Sequence, residues 1–83
     1  PKLLLLDEPL LGLAPSIQKD VIRAIKEIQR DRGISIVVTE QYARPVIPIV
    51  DYAYILENGS AVMEGKGEDL MGNPDVKAAY FGV

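Results

Sequence analysis

The chain has 83 residues, 48% of them hydrophobic, with a net charge of −3 and a pI near 4.8. That length bounds it at one small domain with a marginal core, and the acidic balance argues against nucleic acid as a partner, because phosphate backbones recruit basic patches. It has no Cys and no His, which excludes disulfides, thiolate and imidazole catalysis and Cys/His zinc sites, and leaves carboxylates as the candidate general bases.

No apolar run approaches the ~20 residues that a membrane helix needs. Pro1-Lys2 carries neither an initiator Met nor a signal-peptide pattern, and a chain that opens directly into a core strand is expected to be a piece of something longer. Leu3 to Leu6 then run into Asp7, Glu8 and Pro9. A continuous apolar run predicts a strand over 2–6 that is buried on both faces, as in parallel α/β sheets. Ligands of such sheets bind beyond the carboxyl ends of the strands, where Asp7 and Glu8 fall. Pro9 lacks an N–H, so it ends the ladder and fixes the turn that presents the acids. By themselves these residues fit equally a core strand closed by a structural acidic turn or helix cap.

Leu10-Leu11-Gly12-Leu13-Ala14-Pro15 is an apolar loop. It either tucks under its own domain or makes a partner contact, and nothing local decides. Pro15 suits a first helical turn, with Ser16 as a cap nearby. Ile17, Val21, Ile25 and Ile28 recur at helical spacing, widened by Ile22 and Ala24. Lys19, Asp20, Arg23, Lys26, Glu27 and Arg30 form a solvated face, with Arg23–Glu27 and Glu27–Arg30 at interacting spacings. Arg30 and Arg32 complement the helix C-terminus and Gly33 ends it, so the helix is predicted over 15–32.

The β-branched stretch 34–39 is the second strand, and strand, amphipathic helix and strand make a right-handed parallel βαβ unit. It closes on Thr39-Glu40-Gln41, so both strands deliver polar side chains to one edge of the same sheet. Residues 42–50 predict a short or distorted helix, because Pro45 and Pro48 interrupt it, with Val46, Ile47, Ile49 and Val50 as core. A third strand, 52–57, turns at Asn58-Gly59, the strongest short hairpin signal, into an antiparallel partner over 60–64. Tyr52 and Tyr54 share one face of that strand and are read as core rather than as a base-stacking platform. Gly65-Lys66-Gly67 is too short to cradle phosphates and lacks the G-x-x-x-x-G-K-[ST] pattern. It reads as a linker into a short helix over Glu68-Asp69-Leu70-Met71. Asn73-Pro74 caps and opens a last helix to about Tyr80.

LLLLDEP followed by LLGLAP, IVVTEQYAR at the end of the next strand, and YILENG together resemble the C-terminal part of an ABC-transporter ATPase. More narrowly, the pattern is similar to the ATP-binding subunits of branched-chain amino-acid (LIV-type) importers, in which GLAP follows the Walker B strand and EQ replaces the usual histidine switch. The closing Tyr80-Phe81-Gly82 resembles the natural C-terminus of that subfamily. The resemblance covers the whole chain and implies an α/β fold, a partial P-loop NTPase (RecA-like) three-layer arrangement. Its parallel strands lie at 2–6, 34–39 and 52–57, the hairpin strand at 60–64 is antiparallel, and the phosphate-loop strand that belongs between the second and third is missing.

The resemblance also implies roles. Asp7 would hold Mg2+ through water, Glu8 would activate the attacking water, and Gln41 would stand at the switch position beside the γ-phosphate of ATP. Adjacent residues at a strand end point in different directions, so Asp7 and Glu8 are poorly placed to chelate as a pair and suit separate tasks. Gln41 has a neutral amide that cannot take up a proton near neutral pH, so the base work falls on Glu8. Leu11, Gly12, Leu13, Ala14 and Pro15 match the D-loop, which touches the opposite monomer of the closed ATPase dimer. Ala14 stands where the wider family has Asp and Leu10 where it commonly has Ser, so a cross-dimer salt bridge or hydroxyl contact is in doubt. Pro45 and Pro48 also depart from the family pattern.

No phosphate-binding Gly-Lys loop, LSGGQ-type signature or glutamine loop is present. The resemblance implies a parent that is a cytoplasmic subunit on the inner face of the cell membrane. It pairs with a second ATPase subunit and with permease subunits, and it uses ATP and Mg2+ to drive uptake. The 83-residue chain alone is expected to bind neither ATP nor Mg2+, to be inactive, and either to self-associate through unpaired strand edges or to close the gap with a non-native pairing. The competing reading is a non-catalytic α/β interaction module whose acidic turn is structural.

Overall fold

In the computed structural model, which describes residues 2–81, two compact units follow one another, Pro1–Gln41 and Tyr42–Val83. Pro1, and Gly82 of the closing Tyr-Phe-Gly, lie outside the described residues, as does Val83.

The first unit is a β–α–β unit: β1 (Leu3–Asp7), α1 (Pro15–Arg32) and β2 (Ser35–Thr39). The strands pair in parallel, in register from Leu3 opposite Ser35 to Asp7 opposite Thr39. Helix α1 has the predicted bounds. Pro15 stands at its start, and Gly33 ends it in the left-handed region at φ 60°, donating its N–H to the Gln29 carbonyl at 2.9 Å, where a missing Cβ removes the steric penalty. The residue before the helix is Ala14, which offers no side-chain cap. Ser16 lies inside the first turn rather than capping it. Among the described residues the ion pairs are Arg23–Asp20 and Arg30–Asp31, not the expected pairs of Glu27. All of these side chains are well exposed, so neither arrangement contributes much.

Leu10, Ile25 and Ile34 are buried in this unit. The first strand is not buried on both faces as expected. Leu4 and Leu6 are half-buried, whereas Leu3 and Leu5 are exposed, together with Val37 of β2. On α1, Ile25 alone is fully buried, and Ile17 and Ile28 near its two ends are exposed. An 18-residue helix is about 27 Å long, and a five-residue strand only about 17 Å, so two short strands cannot cover the whole apolar stripe.

The first helical element of the second unit is a single 3₁₀ turn at Ile47–Ile49, the short, distorted helix expected where Pro45 and Pro48 interrupt the segment. Strand β3 (Tyr52–Glu57) then pairs antiparallel with β4 (Ser60–Lys66). Asn58 at φ 51° and Gly59 at φ 79° make the predicted turn. Between Ile55–Met63 and Leu56–Ala61 the register shifts by one residue, a bulge that leaves Val62 without a partner on β3. β4 is longer than predicted: Gly65 and Lys66 belong to it, and Gly67 opens α2 (Gly67–Met71). The stretch read as a linker is therefore strand and helix start. Helix α3 (Pro74–Tyr80) is capped by Asn73, whose side-chain oxygen accepts from the N–H groups of Asp75 and Val76 at 3.0 and 3.3 Å.

Ile47, Leu70, Val76 and Phe81 form the core of this unit, with Val50, Ala53, Ile55 and Met63 against it. The alternation of β3 thus points Ala53 and Ile55 inward and Tyr52 and Tyr54 outward, which reverses the expectation that the tyrosines are core. The two rings meet edge to face, with centroids 5.3 Å apart. The Tyr52 hydroxyl donates to Glu64 at 3.0 Å, and that bond raises its pKa above the ordinary tyrosine value.

Gly67 is fixed by packing. A Cβ there would clash with the Val50 carbonyl oxygen and come within 3.0 Å of that of Ile47. Gly67→Ala is expected to destabilise the fold by about 1–3 kcal/mol, read as a lower midpoint in urea unfolding at unchanged slope.

β2 and β3 lie in different sheets of two strands each, as expected if the strand that would join them is not in the chain. Among the described residues no helix is long and apolar enough to cross a membrane.

Candidate functional site

The parallel register brings the ends of β1 and β2 together, and with them most of the predicted site. Asp7 lies opposite Thr39, and the Thr39 hydroxyl donates to Asp7 Oδ1 at 2.6 Å. The chain leaves β1 by an unusual residue. Glu8 has φ 46°, a left-handed conformation that costs a residue with a Cβ about 1–2 kcal/mol and is further disfavoured before a proline. Its N–H donates to the Thr39 carbonyl at 2.9 Å and reaches the Thr39 hydroxyl at 3.2 Å. Strained backbone held by its surroundings is common at functional sites. In effect the turn continues one bond beyond the ladder and swings Glu8 away from the line of the strand.

The segment after Pro9 is tied down from the same edge. The Leu10 N–H donates to Glu40 Oε1 at 2.9 Å, and the Gln18 amide donates to the Leu10 carbonyl at 3.4 Å. Leu11 N–H closes a turn onto the Glu8 carbonyl at 3.2 Å. Within the apolar loop Leu10 is buried, whereas Leu11 is 72% exposed. Gly12, at φ 76°, Ala14 and Pro15 are exposed and Leu13 is half-buried. Gln41 follows β2 at the same sheet end and is exposed, so the acids and the amide share one edge, as the sequence predicted.

Sequence reasoning missed the parts played by Thr39 and Glu40. Both were visible as polar residues closing a strand. Their partners depend on register, and no motif states it.

The donor set can be tested against the ion it would hold. Thr39 occupies Oδ1 of Asp7, so the second carboxylate oxygen is left for a metal-bound water. Among the described residues no group of three or more Asp, Glu, His or Cys could cage a metal. A lone carboxylate suits Mg2+, which keeps several waters and takes its remaining ligands from substrate phosphates. The site therefore fits Mg2+ as one anchor, whereas nothing in the chain matches a phosphate-gripping loop.

No family model matches the chain. It is 46% identical over 82 residues, 99% of its length, to the high-affinity branched-chain amino acid transport ATP-binding protein BraG of Pseudomonas aeruginosa, of which it covers 35%. It is 33% identical, also over 99% of its length, to the lipopolysaccharide export system ATP-binding protein LptB of Haemophilus influenzae, of which it covers 34%. Among solved structures, cbiO1 from Clostridium perfringens, part of an ABC transporter complex, superposes with a TM-score of 0.82 over 94% of this chain and 31% of its own, at 26% identity. The chain thus spans about a third of the length of these relatives.

Proposed function

We propose that the chain is the C-terminal portion of an ATP-binding domain of the ABC-transporter kind to which its relatives belong, from the Walker B strand onward, in a subunit that powers uptake of branched-chain amino acids. The observation that carries this reading is the joined end of β1 and β2. Asp7 and Glu8 leave one strand, Gln41 leaves the other, and Thr39 bonds to the Asp7 carboxylate and to the Glu8 backbone N–H.

On this reading Asp7 orients Mg2+ through a coordinated water, and the ion, when bound, offsets charge on the transferring phosphoryl group. Glu8 accepts a hydrogen bond from the attacking water and aims it. Adjacent residues at a strand end point in different directions, so Glu8 and Asp7 suit separate tasks. Gln41, neutral and able both to donate and to accept, fixes polar groups near the γ-phosphate without exchanging a proton. The exposed side chain of Leu11, in the 11–15 loop, supports that loop as the contact with a second ATPase subunit. The complete protein then works on the cytoplasmic face of the membrane with permease subunits. The isolated chain is inactive, because the groups that grip phosphate are not in it.

Amino acids are favoured as cargo by the 46% identity to the Pseudomonas aeruginosa branched-chain amino acid relative. Proteoliposomes holding the complete transporter are expected to take up leucine, isoleucine and valine when ATP is enclosed, and not without it. Uptake that ATP does not drive, or ATP-driven movement of lipopolysaccharide and no amino acid, would overturn this substrate class.

A further inference from the structure

We infer that Thr39 is a positioning residue for the metal anchor, acting through Asp7 rather than on substrate. The inference rests on the reading of Asp7 as the carboxylate that holds Mg2+. Three observations carry it. Thr39 is opposite Asp7 in the parallel ladder. Its single hydroxyl proton is given to Asp7 Oδ1 at 2.6 Å, a short bond typical of a charged acceptor. A lone pair of the same oxygen faces the Glu8 N–H at 3.2 Å, while the Thr39 carbonyl accepts that N–H at 2.9 Å.

The result is a directed chain, Glu8 N–H to Thr39 hydroxyl to Asp7 carboxylate, in which each bond polarises the next. The last torsion of an aspartate is broad, so a strand end by itself does not fix which oxygen faces outward. A hydroxyl bound to Oδ1 does fix it. Threonine suits the task because its β-branched side chain has few χ1 choices in a strand, so the hydroxyl is aimed before any ion arrives. The same residue accepts the N–H of the strained Glu8, and so couples the direction of the metal anchor to the backbone of the neighbouring acid. Polar partners that orient metal-binding groups commonly change metal affinity about 10–100-fold when removed. The exposure of this pair to solvent places Thr39 at the low end.

The test is Mn2+ binding, followed by electron paramagnetic resonance, in the complete ATP-binding protein loaded with a non-hydrolysable ATP analogue. Thr39→Val keeps the shape and loses the donor. It is expected to weaken Mn2+ binding about tenfold while metal-free nucleotide binding is unchanged. Thr39→Ser should restore most of the loss. If Thr39→Val does not fold, Thr39→Cys, a weak donor of similar size, should weaken Mn2+ binding to an intermediate degree.

Wild-type Mn2+ affinity in Thr39→Val or Thr39→Cys overturns the role of Thr39. Equal loss of metal and of metal-free nucleotide binding, or no recovery with Thr39→Ser, also overturns it, since either means a structural role only. Asp7→Asn separates the two levels. If it loses Mn2+ binding while Thr39→Val does not, Thr39 is dismissed and Asp7 stands; if it keeps Mn2+, the reading of Asp7 falls and takes Thr39 with it.

Discussion

Glu8→Gln in the complete ATP-binding protein is expected to lower ATP turnover by about a hundred- to ten-thousand-fold, with ATP binding spared. The change is nearly isosteric, so it leaves the turn intact: glutamine meets the same penalty at φ 46° and keeps the N–H that Thr39 accepts. What it removes is the charge. A carboxylate is acceptor-only and draws the proton of a bound water toward itself, whereas an amide can present an N–H to that water and cannot take its proton. The chain has no histidine and Gln41 is neutral, and the other carboxylates at this edge have partners: Asp7 accepts the Thr39 hydroxyl and Glu40 the Leu10 N–H. The measurement is steady-state phosphate release beside equilibrium binding of ATP. Turnover at the wild-type rate would mean that Glu8 is not the base.

Much of this arrangement could be read in advance, for identifiable physical reasons. Helix α1 was legible end to end because Pro15 and Gly33 are local devices whose effects do not depend on distant parts of the chain. The hairpin was legible because Asn58-Gly59 satisfies a turn that few other pairs can. The meeting of Asp7, Glu8 and Gln41 followed from parallel pairing of two strands that both end in polar residues. What could not be read was exposure. Four leucines in a row state what a strand is able to bury, not what is at hand to cover it, and Leu3 and Leu5 face solvent. On β3 both alternating faces were apolar enough to be the inner one. Ala53 and Ile55 take that place because the core of Ile47, Leu70, Val76 and Phe81 has room for small and branched side chains, while the Tyr52 and Tyr80 hydroxyls are satisfied outside by Glu64 and Glu57. The Thr39–Asp7 bond was hidden for a third reason. It depends on register to the residue, which apolar pattern alone does not specify in a strand that was read as buried on both faces.

The 83-residue chain on its own is expected to self-associate, with a light-scattering mass above its 9.1 kDa that rises with concentration. Two features of the first unit drive this. β1 and β2 make a sheet of only two strands, so each has an outer edge of backbone N–H and C=O groups ready to pair with another chain. A two-stranded sheet is also marginal in water without a third strand or a covering layer. In addition, Leu3, Leu5 and Val37 are 51%, 68% and 51% exposed. They occupy alternate positions, with Leu5 opposite Val37, so they line one face. Burying such a side chain fully is worth about 1.5–3 kcal/mol, and edge pairing between copies extends the face over which that burial is available. The two causes can be separated. Leu5→Lys adds a charge to the centre of the face and leaves the edge geometry alone, and should weaken association about tenfold or more. Ser35 N–H and the Thr39 carbonyl bond across to β1, so in the parallel ladder the Ile36 N–H faces the outer edge of β2, and a proline at Ile36 would remove that edge donor while leaving the exposed face intact. If association survives Leu5→Lys but not Ile36→Pro, edge pairing dominates; the reverse result makes the apolar face the driver. A sharp, well-dispersed amide spectrum from a chain that scatters as a monomer at all concentrations would show that neither edge nor face is sticky enough to matter.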